Sequence, residues 1–236
     1  HALQIAVADV LVRHESLRTF YPEIEGTPYQ SVVRTGRVIP DLAPIEVSEA
    51  ELPRRIEELV LAGFDVTAGV PFRARLFEIS PTEHVLALVV HHIAADGFSM
   101  GPLTRDVMTA YAARAIGTEP TWPPLGVQFA DYTLWQRDVL GDEADPDSLA
   151  AQQVRYWQDE LAGLPQHLEL PADRVRPPVA TLRGGRIGLD IDAPTHRGMV
   201  ALARHHGATL FMVVHSALAV FLARMSATDD IAIGTP

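Results

Sequence analysis

Six consecutive apolar residues, Val85-Leu86-Ala87-Leu88-Val89-Val90, run straight into His91-His92-Ile93-Ala94-Ala95-Asp96-Gly97. This segment restricts the fold more than any other in the chain. The apolar run predicts a strand over 84–91, central in its sheet and covered on both faces. A strand that stops at an imidazole presents a base at a sheet edge or channel. Neighbouring strand residues face opposite sides, so His91 and His92 do not readily grip one metal ion, which also needs further ligands converging from elsewhere. No metal is expected; one ring would face packing and the other a reaction space. Asp96 either orients an imidazole or pairs with an arginine. Gly97 permits a backbone conformation or a close approach denied to other residues. The plainer alternative is a core histidine followed by an ordinary Asp-Gly turn, and the pattern alone leaves both open.

A second motif overlaps the first. Gly97-Phe98-Ser99-Met100-Gly101 has the Gly-x-Ser-x-Gly spacing of a nucleophile elbow. An elbow needs the strand to lead directly into its glycine, whereas Ile93 to Asp96 intervene here. Ser99 reads more simply as the N-cap of the following helix. A serine hydrolase using Ser99 is kept as an alternative.

Composition removes other chemistries. There is no cysteine, and all 19 basic residues are arginine. Disulfides, thiolate sites, lysine Schiff bases and the P-loop lysine are therefore excluded. The net charge is −11 with scattered arginines, which argues against nucleic acid. No stretch approaches the roughly eighteen continuous apolar residues of a membrane helix. No signal-peptide pattern opens the chain, and a cytoplasmic location is expected. The first residue is not Met and lies in helical periodicity, consistent with a piece of a longer protein.

The remaining periodicity predicts helices over 2–14, 49–62, 99–116, 128–139, 146–162, 195–206 and 209–225. Leu3, Val7, Val10 and Leu11 share a stripe in the first. Ser48 and Glu51 have capping-box spacing, with Pro53 in a first turn. Strands are expected at 29–34, 38–45, 72–79, 185–191 and 230–234. The proline- and charge-rich stretch 164–180 reads as a linker. This divides the chain into 1–163, a linker at 164–180, and 181–236. The fold class expected is α/β, an αβ sandwich. Phe129, Tyr132, Trp135, Tyr156 and Trp157 fall at helical spacing and read as packing residues. His14 and His84 read as structural, and His205-His206 as a helix C-terminus favoured by the dipole.

Several stretches together resemble the condensation domains of nonribosomal peptide synthetases. Arg13-His14-Glu15-Ser16-Leu17-Arg18-Thr19 resembles their Arg-His-Glu-x-Leu-Arg-Thr motif, and His91 to Gly97 their His-His-x-x-x-Asp-Gly motif. Phe129-Ala130-Asp131-Tyr132 with Trp135 resembles Tyr-x-Asp-Tyr-x-x-Trp. Tyr156-Trp157, Leu164-Pro165, Leu170-Pro171-Ala172-Asp173-Arg174 and Arg176-Pro177 resemble the segment that follows, and Ile233-Gly234-Thr235-Pro236 the start of a later motif. Phe98 stands where the family usually has Trp, and Phe129 where Tyr is common.

The resemblance implies a chloramphenicol acetyltransferase-like αβ sandwich of two lobes, with the first lobe nearly complete here and the second partial. It implies an acyltransferase that forms a peptide bond between a carrier-bound thioester and the α-amine of a downstream carrier-bound residue. No cofactor would be bound directly, since the substrates ride on 4'-phosphopantetheine arms. The implied partners are donor and acceptor peptidyl carrier domains and an adjacent adenylation domain, with neither nucleic acid nor membrane. His92 would act on the reacting groups, and the Gly97 amide would approach the carbonyl. His91 would support the motif, and Asp96 would be salt-bridged to Arg18. The fragment by itself is expected to be inactive. An epimerising relative and a non-catalytic platform that docks carrier domains remain alternatives.

Overall fold

The computed structural model describes residues 1–165, 167–175, 177–179, 184–185 and 187–235, with the Thr35 side chain left out. Arg176 and Pro236 of the family-like segments, and parts of the expected linker and of the strand at 185–191, lie outside the described residues. Two compact units, His1–Leu149 and Ala150–Pro236, make up the chain.

The first unit opens with α1 (Ala2–Arg13), whose residues Ala6, Val7, Val10 and Leu11 are almost completely buried. That spacing is one face of a helix, and Leu3 packs against its edge. A single 3₁₀ turn, Glu15–Arg18, leads into β1 (Thr19–Phe20). The hairpin β2 (Glu23–Ile24) and β3 (Thr27–Pro28) turns at Glu25 and Gly26, both with positive φ (52° and 79°). Two left-handed residues are what a two-residue hairpin turn requires. β4 (Ser31–Val32) pairs antiparallel with β1, and Ile45–Glu46 forms β5. The strands expected at 29–34 and 38–45 thus shrink to dipeptides, with a 3₁₀ turn at Thr35–Arg37 between them.

α2 (Leu52–Leu61) starts later than the Ser48–Glu51 spacing predicts. The side chains do meet: the Glu51 carboxylate accepts the Ser48 amide (3.2 Å) and hydroxyl (2.6 Å). Residues 49–51 nevertheless form a turn ahead of the helix.

β6 (Phe72–Ser80) and β7 (Glu83–Val90) form a long antiparallel ladder, with β5 parallel on the far side of β6. The strand order β5-β6-β7 makes β6 the central strand. The expectation for β7 is corrected: it is an edge strand, half-buried along Val85–Val90. Its apolar run reflects one face turned to the helices; among the described residues no strand pairs with its outer edge. α3 (Met100–Ala115) buries Leu103, Val107 and Ala110 against α1 and the sheet. Phe72, Ala74, Leu17 and Leu42 close this core. Each fully buried Val or Leu contributes roughly 1.5–3 kcal/mol. Arg114 of α3 adds a bidentate bond to Asp9 of α1 (2.7 and 2.9 Å).

α4 (Phe129–Leu140) begins where the Gln128 amide donates to Asp131 (2.9 Å). Phe129, Tyr132, Trp135, Tyr156 and Trp157 are 41–59% exposed, against the packing role expected for them. On α4 Tyr132 meets Trp135 at a tilt of 41°, and on α5 (Leu149–Glu160) Tyr156 meets Trp157 edge-on.

The second unit contains α6 (Ala193–His205), capped by Asp192 on the Thr195 amide, and α7 (Leu210–Ser226), capped by Thr209 on Met212. His205 ends α6 and Gly207 turns out of it with φ 61°, as the helix-end reading predicts. The strands expected at 185–191 and 230–234 are not formed among the described residues. Their alternation is real, but a strand exists only where a neighbour supplies hydrogen bonds, and no described segment does. Among the described residues no single helix is long and apolar enough to cross a membrane.

Candidate functional site

β7 ends where its partner strand reaches Pro71, which has no N–H to return to the ladder. Phe72 pairs with Val90, and in the same register the His91 amide still donates to the Pro71 carbonyl (2.9 Å). The His91 carbonyl then accepts the Ala94 amide (2.9 Å), and the chain turns through 92–94. The His91 ring is fixed twice: Nδ1 accepts the Ile93 amide (3.0 Å), and the Phe64 ring meets it edge-on at 5.9 Å. An Nδ1 that accepts leaves the proton of a neutral imidazole on Nε2. His91 is half-buried. The His92 ring is exposed and makes no hydrogen bond or ion pair among the described residues. The two rings thus differ in exposure, although β7 ends at Val90 and His92 already lies in the turn, so strand alternation is not what separates them.

Asp96 closes the other end of the loop. Its Oδ1 accepts the Ser99 amide (2.9 Å) and hydroxyl (2.7 Å), while its own amide donates to Ser99 Oγ (3.1 Å). This is reciprocal capping one turn before α3. The Ser99 side-chain hydrogen bond, then the backbone one, holds the Asp96 carboxyl below its ordinary range. The expected Asp96–Arg18 salt bridge is not formed. Arg18 instead donates to the carbonyls of Leu11 (2.8 Å) and Val33 (2.9 Å) and to Glu15 (3.1 Å). Both residues are satisfied close to home, so neither needs the other; Arg18 ties the end of α1 to the segment after β4. The Ser99 hydroxyl is committed to Asp96 rather than to a histidine, which is not how a serine nucleophile is activated.

Gly97 also departs from expectation. Its φ is not in the left-handed region, and a Cβ built on it meets nothing within 4 Å. Neither strain nor crowding within the described chain demands glycine there. What glycine leaves is open space beside its amide, on the loop that carries His92.

A cluster that sequence reasoning missed lies behind this loop. Asp106, on α3, is 5% exposed. Its Oδ2 accepts Arg13 Nε (2.9 Å) and faces His14 Nε2 at 2.8 Å. Burial raises the Asp106 pKa, but the hydrogen bonds from His14 and Arg13, with their charges, outweigh it and leave the carboxyl below its ordinary value. Arg13 Nη1 also holds the Pro123 carbonyl (2.8 Å), and its guanidinium lies 4.9 Å from the Trp122 ring. Gln128 completes the junction, donating to the Arg13 carbonyl (2.9 Å) and accepting the Glu15 amide (3.2 Å). The available signal was Asp106 itself, a carboxylate at helical spacing among Leu103, Val107 and Ala110. A cleft of 230 Å³ separates this cluster from the motif loop.

The family model of the Condensation domain matches residues 1–236. This chain belongs to the condensation-domain family. It is 48% identical over 234 residues to a dimodular nonribosomal peptide synthase of Bacillus subtilis, covering 99% of this chain and 10% of that protein. It is 48% identical over 240 residues to an isonitrile lipopeptide synthase of Mycobacterium tuberculosis, covering 100% of this chain and 10% of that one. The solved complex of the X-domain and OxyB from teicoplanin biosynthesis superposes with a TM-score of 0.88 at 40% identity, covering 96% of this chain and 49% of that one. The condensation domain therefore has the mixed helix-and-sheet architecture of the chloramphenicol acetyltransferase-like fold. The chain spans about a tenth of these curated relatives and about half of the solved chain.

Proposed function

We propose that this domain forms an amide bond: a carrier-bound acyl or peptidyl thioester is attacked by the α-amine of a second carrier-bound residue. The C–N bond forms, the C–S bond breaks, and the amine proton must reach the departing thiolate. His92 is assigned to that proton, taking it from the tetrahedral adduct and returning it to sulfur. General base catalysis of this kind contributes roughly 10²–10⁴-fold. A thioester is already activated, and two tethered substrates share a high effective concentration, so a single base suffices. The bare Gly97 amide would face the carbonyl oxygen as charge develops on it. The partners are donor and acceptor carrier domains bearing phosphopantetheine, and a neighbouring adenylation domain loads one of them. The observation that carries this reading is the exposed His92 ring, without a partner among the described residues, on a loop pinned at both ends, by His91 and by the Asp96–Ser99 box.

The test is single-turnover condensation in the intact synthetase with both carriers loaded, comparing wild type with His92→Ala. A fall of two orders of magnitude or more supports proton transfer, and an unchanged rate removes His92 from the reaction. A second reading, a docking platform, is favoured by the likeness to an X-domain solved in complex with another protein. It predicts that His92→Ala changes no product yield while a carrier or partner protein still binds.

A further inference from the structure

The cleft behind the motif loop has a polar end and apolar walls. His14 and Ser16 line one side, and Ala94, Ala95 and Ser99 the other, with Leu103 beneath. The Ser99 hydroxyl is consumed by Asp96. The Ser16 hydroxyl has no partner among the described residues. His14 is more informative. Asp106 is a buried acceptor shared with Arg13 Nε, and Arg105 Nε stands 3.6 Å from its other oxygen. An ionised carboxylate only accepts, so His14 Nε2 carries the hydrogen in the 2.8 Å contact. The charge that His14 lends Asp106 belongs to its protonated form, in which both nitrogens donate; the site is the neutral form, in which Nδ1 is a lone-pair acceptor to which nothing among the described residues donates. The ring is held by a buried anchor yet 23% exposed. A fixed acceptor in a cleft whose other lining is mostly apolar, Leu17, Ala94, Ala95, Pro102 and Leu103, is an arrangement that selects an apolar ligand by a polar contact.

We infer that this cleft is a subsite for an uncharged, mainly apolar group that carries an N–H or O–H, with His14 Nδ1 as the acceptor. The cleft is smaller than ordinary ligand pockets of about 300–1,000 Å³, so it takes one end of a ligand rather than all of it. Ala94, Ala95 and Ser99, on the loop that holds His92, line it, so the ligand is a part of a substrate reacting at that loop. That last step rests on the proposed function; the binding itself does not.

The experiment is nuclear magnetic resonance on the ¹⁵N-labelled chain, titrated with N-methylbutanamide, which has an amide N–H, and with N,N-dimethylbutanamide, which lacks it. The expected result is a saturable shift of His14 Nδ1 and of the Ala94 and Ala95 amides with the first probe only. His14→Gln keeps a side-chain N–H for Asp106 but offers no ring acceptor, and should weaken the Ala94 and Ala95 response about tenfold, the effect of losing one hydrogen bond. Ala95→Leu fills the cleft from the loop side and should abolish the His14 shift. An unmoved His14 signal, or an equal response to both amides, overturns the inference. The reading is independent of turnover: an unchanged rate in His92→Ala would remove the condensation mechanism and leave the binding result standing.

Discussion

Replacing Asp106 by Ala tests the junction on which α1, α3 and the 123–128 segment meet. Three features set the magnitude. The carboxylate is 7% exposed and Arg13 11%, so solvent screening is slight. The substitution leaves Arg13 Nε and His14 Nε2 without their acceptor. Arg13 keeps only the Pro123 carbonyl and the Trp122 ring. Removing one partner of a buried pair costs about 3–5 kcal/mol. With a urea dependence of about 2 kcal/mol/M, the midpoint should fall by about 2 M. The Trp122 ring beside Arg13 makes intrinsic fluorescence a suitable readout. Asp9→Ala is the comparison: its pair with Arg114 is bidentate, but 17–20% exposed on both sides, and it should shift the midpoint less. The pH dependence has a definite sign. The folded Asp106 carboxyl is held below its unfolded value of about 3.9. Its contribution is therefore complete above that value and is lost as pH falls through the lower folded pKa. The gap between wild type and Asp106→Ala should be constant above about pH 5 and narrow below about pH 4. A midpoint shift no larger than that of Asp9→Ala, or a gap unchanged down to pH 2, would refute the claim that a buried ionised carboxylate holds this junction.

The other predictions separate folding from chemistry. His92→Ala should leave thermal unfolding unchanged, since the ring is exposed and unpartnered; a clear loss of stability would show a structural role. Gly97→Ala should also fold normally, because its φ is ordinary and its Cβ meets open space; if condensation falls while unfolding is unchanged, an approaching carbonyl is what requires glycine. Ser99 should resist fluorophosphonate labelling of the native chain, and stoichiometric labelling would reopen the hydrolase reading. Arg18→Ala should destabilise by about 2–3 kcal/mol, two partly buried hydrogen bonds from a charged donor, whereas Asp96→Ala should loosen only the 92–99 loop. Hydrogen exchange read across both segments distinguishes the two, and equal loosening at both would restore the direct pair.

What could be read from the sequence follows the range of the forces involved. Helical periodicity is local, so α1, α3, α4, α6 and α7 came within a few residues of their bounds. The different exposure of His91 and His92 does not come from strand alternation, since β7 ends at Val90 and a turn carries His92. Strand status does not follow so directly. Ser31–Val32 pairs only with Thr19–Phe20, more than ten residues away, and a run such as Val85–Val90 reads alike whether it is central or at an edge. The aromatic row on α4 failed for the same reason, since apolar spacing marks a face to be covered without saying what covers it. Ion pairs are the least legible. The carboxylate nearest in function to the Arg13–Arg18 motif was Asp96 by resemblance; in space Asp106 takes Arg13 and His14, because it sits on the buried face of α3 with Leu103, Val107 and Ala110, whereas Asp96 is exposed in the loop before α3. A charged residue inside an otherwise apolar stripe is therefore a better guide to a partner than motif proximity, for it must be satisfied where it sits.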